Sequence, residues 1–183
     1  MNKVGLALGL VFAAALVGLL AWALVQSGGQ PRQALVNARF GEVSVQPRAA
    51  PAFTLKLLDG EVLAADDLKG KLVMVDFWAS WCPPCRQEAP VLAQVYQEYR
   101  SRGVEFVGIA IWDDEGQARN YVKRYGITYP NGLDERGTIA IDYGVTGIPE
   151  KYFITPAGQV VRKFIGPMEA DRLRQVLDGL LKP

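Results

Sequence analysis

Residues 73–85, Val-Met-Val-Asp-Phe-Trp-Ala-Ser-Trp-Cys-Pro-Pro-Cys, constrain this chain more than any other stretch. They hold its only two cysteines, Cys82 and Cys85, spaced C-x-x-C. An apolar run of β type leads into them and a helical pattern follows, so Cys82 falls at or just before a helix start. Unpaired backbone N–H groups and the helix dipole favour a thiolate there. A thiolate is the nucleophile of thiol–disulfide exchange, and a second thiol one turn on can release what the first has captured. Structural zinc fails on arithmetic: it takes about four N or S ligands, and the chain has two cysteines and no histidine. An inert disulfide between neighbouring turns is the remaining structural alternative.

The lack of histidine excludes Ser–His and Cys–His catalytic pairs, His-ligated metals and a Cys–His copper carrier. The chemistry must run through thiols and carboxylates, with no metal and no cofactor. The net charge is +1 and the pI about 7.7, so there is no basic footprint for nucleic acid. A length of 183 residues suits one domain with an appendage.

The appendage is N-terminal. Val4 to Val25 carries no charge and spans roughly 33 Å as a helix, enough to cross a hydrocarbon core. Lys3 precedes it and Arg32 is the next charged residue, which places the N-terminus in the cytoplasm and the rest outside. Ala21-Trp22-Ala23 offers a signal-peptidase-like site, but the apolar run exceeds the usual ~7–15 residues of a signal peptide. The reading is an uncleaved signal anchor. The expected layout is a cytoplasmic N-terminus at 1–3, a transmembrane anchor at 4–25, a linker at 26–48 and a folded domain at 49–183. Residues 26–48 show no sustained periodicity, with a little local order around Phe40 to Val45. Export places the domain at the periplasmic or outer face of a bacterial cytoplasmic membrane, where disulfides persist.

Within the domain, Ala52 to Leu58 and Glu61 to Leu63 flank Asp59-Gly60 as a hairpin. Leu72 to Ala79 reads as a central strand buried on both faces, with Asp76 inside it. Asp76 is either a carboxylate at a strand edge or a buried acid with a raised pKa that takes a proton from Cys85. The following helix has an apolar face at Ala89, Leu92, Val95, Tyr96 and Tyr99, a kinking Pro90, and Pro83 and Pro84 in its first turn. Glu88 lies on the same side as Cys85, either solvated or part of the site. Val104 to Ile111 is a second buried strand. Asp113 or Asp114 caps the next helix rather than binding metal. Thr138 to Tyr143 reads as a short helix, Lys151 to Thr155 with Gln159 to Ile165 as a hairpin, and Leu173 to Leu181 as a final amphipathic helix.

Two motifs carry a resemblance. Asp-Phe-Trp-Ala-Ser-Trp-Cys-Pro-Pro-Cys looks like the active-site strand and turn of thioredoxin-fold oxidoreductases. Gly144-Val145-Thr146-Gly147-Ile148-Pro149, ahead of a β-rich run, resembles the cis-proline loop of that fold. The opening P-x-F-x-L…L-x-G-K and the anchor resemble the membrane-anchored TlpA, ResA and CcmG (DsbE) type. The resemblance implies an α/β thioredoxin-like fold with an N-terminal β-hairpin and a central αβ insertion, preceded by one transmembrane helix. It implies Cys82 as nucleophile and Cys85 as resolving thiol, with Asp76 and Glu88 handling protons. Trp81, Pro83, Pro84, Ile148, Pro149 and Glu150 would line the substrate side, the Ile148 backbone pairing with an extended client. Lys151 departs from the CcmG pattern, which has Thr there.

The function implied is a thiol:disulfide oxidoreductase that reduces disulfides in exported proteins, apocytochrome c among them, and is reset by a membrane electron donor of CcdA or DsbD type. Alternatives are a general periplasmic oxidase or isomerase, a reductant for copper-centre assembly, a redox sensor, and a non-catalytic module that holds clients in the cis-proline groove. A peroxidase fits poorly, because the P-x-x-x-T/S-x-x-C pattern of peroxiredoxins does not match ahead of Cys82.

Overall fold

The structure is a computed structural model that describes residues 3–26, 35–37 and 40–182. The chain divides into two units, Met1–Ala34 and Leu35–Pro183.

Among its described residues the first unit holds one helix, α1 (Lys3–Gln26). Its described side chains, at residue 5 and residues 8–22, are all exposed. Among the described residues no helix is long and apolar enough to cross a membrane. The remaining side chains of the expected 4–25 span lie outside the described residues.

The second unit is built on strand β5 (Leu72–Trp78), every residue of which is buried. Its alternating side chains meet packed layers on both faces, which is why the run reads as continuously apolar. It pairs in parallel with β6 (Val104–Ile111), which in turn pairs in parallel with β7 (Asn131–Asp134). On its other side it runs antiparallel to β8 (Glu150–Ile154), and β8 antiparallel to β9 (Gln159–Ile165). Helix α2 (Pro83–Tyr99) packs on β6 and against α5 (Ala170–Leu181), while α3 (Glu115–Arg124) and α4 (Thr138–Tyr143) pack on β7. This is a thioredoxin-like α/β fold. β7 lies in the stretch, residues 126–134, where the resemblance implies the αβ insertion.

β3 (Thr54–Lys56) and β4 (Val62–Ala64) form the expected hairpin, tied to the main sheet by a bridge from Leu57 to Gly132. The α2 face of Ala89, Leu92, Val95, Tyr96 and Tyr99 is buried, as its 3.6-residue spacing requires. α3 is capped by Asp114, whose Oδ1 accepts from Gln117 N at 3.1 Å.

Of the stretch read as linker, residues 27–34 and 38–39 lie outside the described residues, and the later part holds more order than the little expected around Phe40 to Val45. β1 (Gly41–Val43) and β2 (Arg48–Ala49) both pair antiparallel with β9 and extend the main sheet. Their order comes from the β9 edge far along the chain, not from local periodicity. The compact unit therefore begins at Leu35 rather than at residue 49.

Candidate active site

The C-terminal end of β5 launches the site. Trp78 Nε1 donates to Asn131 Oδ1 at 3.1 Å across Gly108 of the neighbouring strand. A Cβ at Gly108 would stand 1.9 Å from that oxygen, so only glycine admits the contact. Four residues on, Cys82 is the N-cap of α2, with extended backbone. It is bonded to Cys85, and both residues are fully buried in this oxidised state. Cys82 Sγ also accepts from Cys85 N at 3.3 Å. The helix start thus aims a donor at the Cys82 sulfur, the arrangement that favours a thiolate once the pair is reduced.

The turn before Cys82 is clamped by the β6–α3 loop. Asp113 accepts from Ser80 N at 2.5 Å and from Ser80 Oγ at 2.8 Å. Trp81 Nε1 donates to Trp112 O at 2.9 Å, and Trp112 itself adopts φ 55°. Arg86 Nε donates to Ser80 O, and Tyr121 OH to Cys85 O at 2.7 Å. The Tyr121 ring stacks on Trp78 at 4.2 Å. Asp113, Trp112 and Tyr121 were not singled out from sequence as parts of the site. Pro83 is exposed, and Trp81 and Pro84 are half-buried at the rim.

Behind the cysteines lies a buried charge cluster. Asp76 and Lys151 are cross-strand neighbours in the β5–β8 register, so their side chains leave the sheet on one face. Glu88 reaches the same place from α2, one turn after Cys85. Lys151 Nζ donates to both carboxylate oxygens of Glu88 and to Gly166 O at 3.1 Å. It lies 3.5 Å from Asp76 Oδ1. That ion pair is too long for a good hydrogen bond, and Asp76 Oδ1 has no hydrogen-bond partner among the described residues. Glu88 Oε2 also accepts from Met168 N at 3.0 Å.

All three residues are at most 3% exposed, so two carboxylates share one ammonium out of water. Ionising both would leave a net negative charge in a medium of low polarity. Burial pushes the Asp76 carboxyl up, and the Lys151 charge only partly opposes it. Burial, with the Asp76 charge adding to it, pushes Glu88 up to about 8, again against Lys151. The cluster therefore holds a proton at neutral pH.

The loop ahead of β8 brings Ile148-Pro149 to the sheet end where β5 gives way to the cysteines, because Glu150 pairs with Phe77. The Ile148–Pro149 peptide bond is cis. Ile148 and Pro149 are buried. The Ile148 backbone is already paired: its N–H donates to Leu35 O at 2.8 Å and its C=O accepts from Asn37 N at 2.9 Å. Glu150, grouped from sequence with the substrate-side residues, is fully buried. Its carboxylate accepts from Thr146 N and Oγ1 and from Tyr152 OH, and pairs with Lys163 at 2.7 Å. It braces the loop from behind. Lys151, noted from sequence only as a departure, proves to be the centre of the charge cluster. The signal lies in its pairing with Asp76, a lysine in one central strand opposite an acid in the next, which the strand register supplies and the sequence alone does not.

A strand feeding a dithiol at a helix start, a cis-proline loop beside it and a proton-holding carboxylate pair behind it define a thioredoxin-like thiol–disulfide oxidoreductase. The chain belongs to the AhpC/TSA family, whose pattern matches residues 47–163. It is 34% identical over 151 residues to the thiol-disulfide oxidoreductase ResA of Bacillus subtilis, covering 81% of this chain and 84% of ResA. Among solved structures it is similar to a thiol:disulfide interchange protein of the thioredoxin family from Chlorobium tepidum. There the identity is 36% and the TM-score 0.68, over 76% of this chain and 99% of that one. It is also similar to a secreted disulfide oxidoreductase of Mycobacterium tuberculosis homologous to DsbE of E. coli. That match has 32% identity and a TM-score of 0.64, over 70% of this chain and 96% of that one.

Proposed function

We propose that this oxidoreductase is a reductant of disulfides in exported proteins, with apocytochrome c its client. Its domain is held at the outer face of a bacterial cytoplasmic membrane by residues 4–25. The observation that carries the exchange chemistry is the buried carboxylate pair one helical turn from Cys85, which can take a proton from a resolving thiol. The apocytochrome c client rests on the likeness to ResA and DsbE-type proteins.

The reduced Cys82 thiolate attacks one sulfur of the client disulfide. A mixed disulfide forms, and the client's other sulfur leaves as a thiolate and is protonated. The ionised member of the Asp76–Glu88 pair accepts the Cys85 proton, and the Cys85 thiolate attacks Cys82 Sγ. The client's second thiolate departs, the Cys82–Cys85 disulfide closes, and two electrons have passed to the client. A membrane dithiol of CcdA or DsbD type returns them. In this scheme Lys151 is a positioning residue: it keeps one carboxylate ionised beside one that is protonated.

A glutathione titration of the Cys82–Cys85 pair, read by tryptophan fluorescence, tests the direction of flow. A reduction potential of about −200 mV or lower supports a dedicated reductant, whereas a value near −120 mV makes the protein an oxidase or isomerase. Trapping apocytochrome c as a mixed disulfide on the Cys85→Ser variant then tests the client. Protease added to spheroplasts should digest the domain if the anchor reading holds.

A further inference from the structure

Leu35, Val36 and Asn37 lie beside the cis-proline loop, joined to it at a single β-bridge. Val36 and Ile148 form a parallel bridge, with Ile148 N–H bonded to Leu35 O and Asn37 N–H bonded to Ile148 O. The Asn37 side-chain amide donates to Pro149 O at 3.2 Å. The approach is close: a Cβ on Gly147 would stand 2.6 Å from Asn37 Oδ1 and 3.0 Å from Leu35 O. Just beyond, the Phe40 ring covers Gly166, where a Cβ would meet it at 2.2 Å. Gly166 N itself donates to Pro149 O at 2.8 Å. Leu35 and Asn37 are thus seated on the loop by backbone and side-chain bonds, not merely adjacent to it.

A single backbone N–H has one hydrogen to give. An extended client that pairs with Ile148 beside Cys82 needs that N–H, and Leu35 already holds it. Ile148 and Cys82 are both fully buried in this state, so neither group that a protein client must reach is open. A small disulfide has no strand to pair and makes no use of the Ile148 backbone.

The geometry points to Leu35-Val36-Asn37 as a built-in segment that pairs with Ile148 as a client strand would, fills the client-binding edge and sets which clients the enzyme accepts. Only an extended segment that pairs with Ile148 better than residues 35–37 displaces it. This rests on the reading of the protein as a reductant of protein disulfides. The partner that fits the uncovered edge is an unfolded, strand-forming protein segment bearing a disulfide. A folded protein with a merely exposed disulfide is turned away.

The test uses the pre-reduced full-length chain in detergent and compares second-order rates with insulin and with 5,5′-dithiobis(2-nitrobenzoic acid). Asn37→Pro removes the backbone donor to Ile148 O and the side-chain bond to Pro149 O together. The expected result is an insulin rate about five- to tenfold higher, the scale of two lost hydrogen bonds, with the small-disulfide rate unchanged. Asn37→Ala, which keeps the backbone donor, should raise the insulin rate about twofold. Amide hydrogen exchange at Ile148 should quicken in both variants.

Unchanged insulin rates and unchanged Ile148 exchange, with normal small-disulfide turnover, overturn the strand's role and leave the reductase reading standing. If neither wild type nor variants reduce insulin while all reduce the small disulfide, the protein-client reading fails and the strand's role with it. If Asn37→Pro loses small-disulfide turnover through misfolding, Asn37→Ala and the exchange rate decide.

Discussion

Glu150 and Lys151 are adjacent on β8, both buried, and they face opposite sides of the sheet. On one side the Glu150 carboxylate has three hydrogen-bond donors and the Lys163 ammonium around it. On the other, one ammonium serves two carboxylates, and Asp76 Oδ1 has no hydrogen-bond partner among the described residues. A saturated buried charge is a brace, since moving it breaks several bonds at once. An undersupplied cluster is a proton reservoir, since gaining a proton relieves it. The fold places the brace under the cis-proline loop and the reservoir under the dithiol. In the proposed mechanism each lies where its property is useful: the loop keeps its shape, and the Cys85 thiol loses a proton.

The largest break in this comparison comes from removing the shared ammonium. Lys151→Met leaves Asp76 and Glu88 facing each other without a counter-charge. Urea unfolding at neutral pH should show a loss of about 3–5 kcal/mol, the cost of stranding buried charge. Adding Asp76→Asn and Glu88→Gln to Lys151→Met should recover most of that loss, since no buried charge then remains. A Lys151→Met protein as stable as wild type would show that the lysine is not the cluster's counter-ion.

Much of this arrangement was legible in sequence, and the part that was not has a physical cause. The β5 run and the Ala89, Leu92, Val95, Tyr96, Tyr99 face follow local period, and local period is what a sequence displays. The dithiol at the helix start follows from the same junction. Lys151 escaped because lysine in a strand reads as an outward, solvated residue. Only the cross-strand register with Asp76 shows that it points inward. Residues 35–37 and β2 escaped, and β1 was legible only as a little local order around Phe40 to Val45, for a related reason. Their partners are Ile148 and β9, more than a hundred positions away, and a Gly-, Gln- and Pro-containing tract carries no periodic trace of a long-range pairing. Glu150 was visible as a charged residue beside the proline, but not as one whose partners all come from within the chain.

Titration sharpens the comparison next. Glu88 in the folded protein titrates at about 8, above its ordinary value of 4.5. A carboxyl raised on folding binds more protons in the native than in the unfolded state between those values. Stability therefore falls as pH rises from about 4.5 to about 8, by at most ~1.4 kcal/mol per pH unit for one group. Asp76, shifted in the same direction, adds to the fall. Glu88→Gln should flatten the slope of unfolding free energy against pH over that window. It should also move the pH profile of Cys85 resolution, measured as the decay of the mixed disulfide. A slope unchanged by Glu88→Gln would place the proton elsewhere.

The smallest effect should come from the saturated side. Tyr152→Phe removes one donor from Glu150 and leaves Thr146 and Lys163 in place. The ring keeps its edge contacts with Phe77 at 5.7 Å and Tyr143 at 5.2 Å, so packing is little changed. The expected cost in urea unfolding is about 1.5–3 kcal/mol, the scale of one hydrogen bond to a charged group. The stability slope between pH 4.5 and 8 should stay as in wild type, because the lost hydroxyl lies on the face away from Asp76 and Glu88. The ratio of the two losses is the informative quantity. If Tyr152→Phe costs as much as Lys151→Met, Glu150 depends on a single partner after all, and the difference between brace and reservoir disappears. If it costs little and leaves the slope intact, two buried charges one residue apart are energetically separate. The enzyme can then titrate one side of β8 without loosening the loop held by the other.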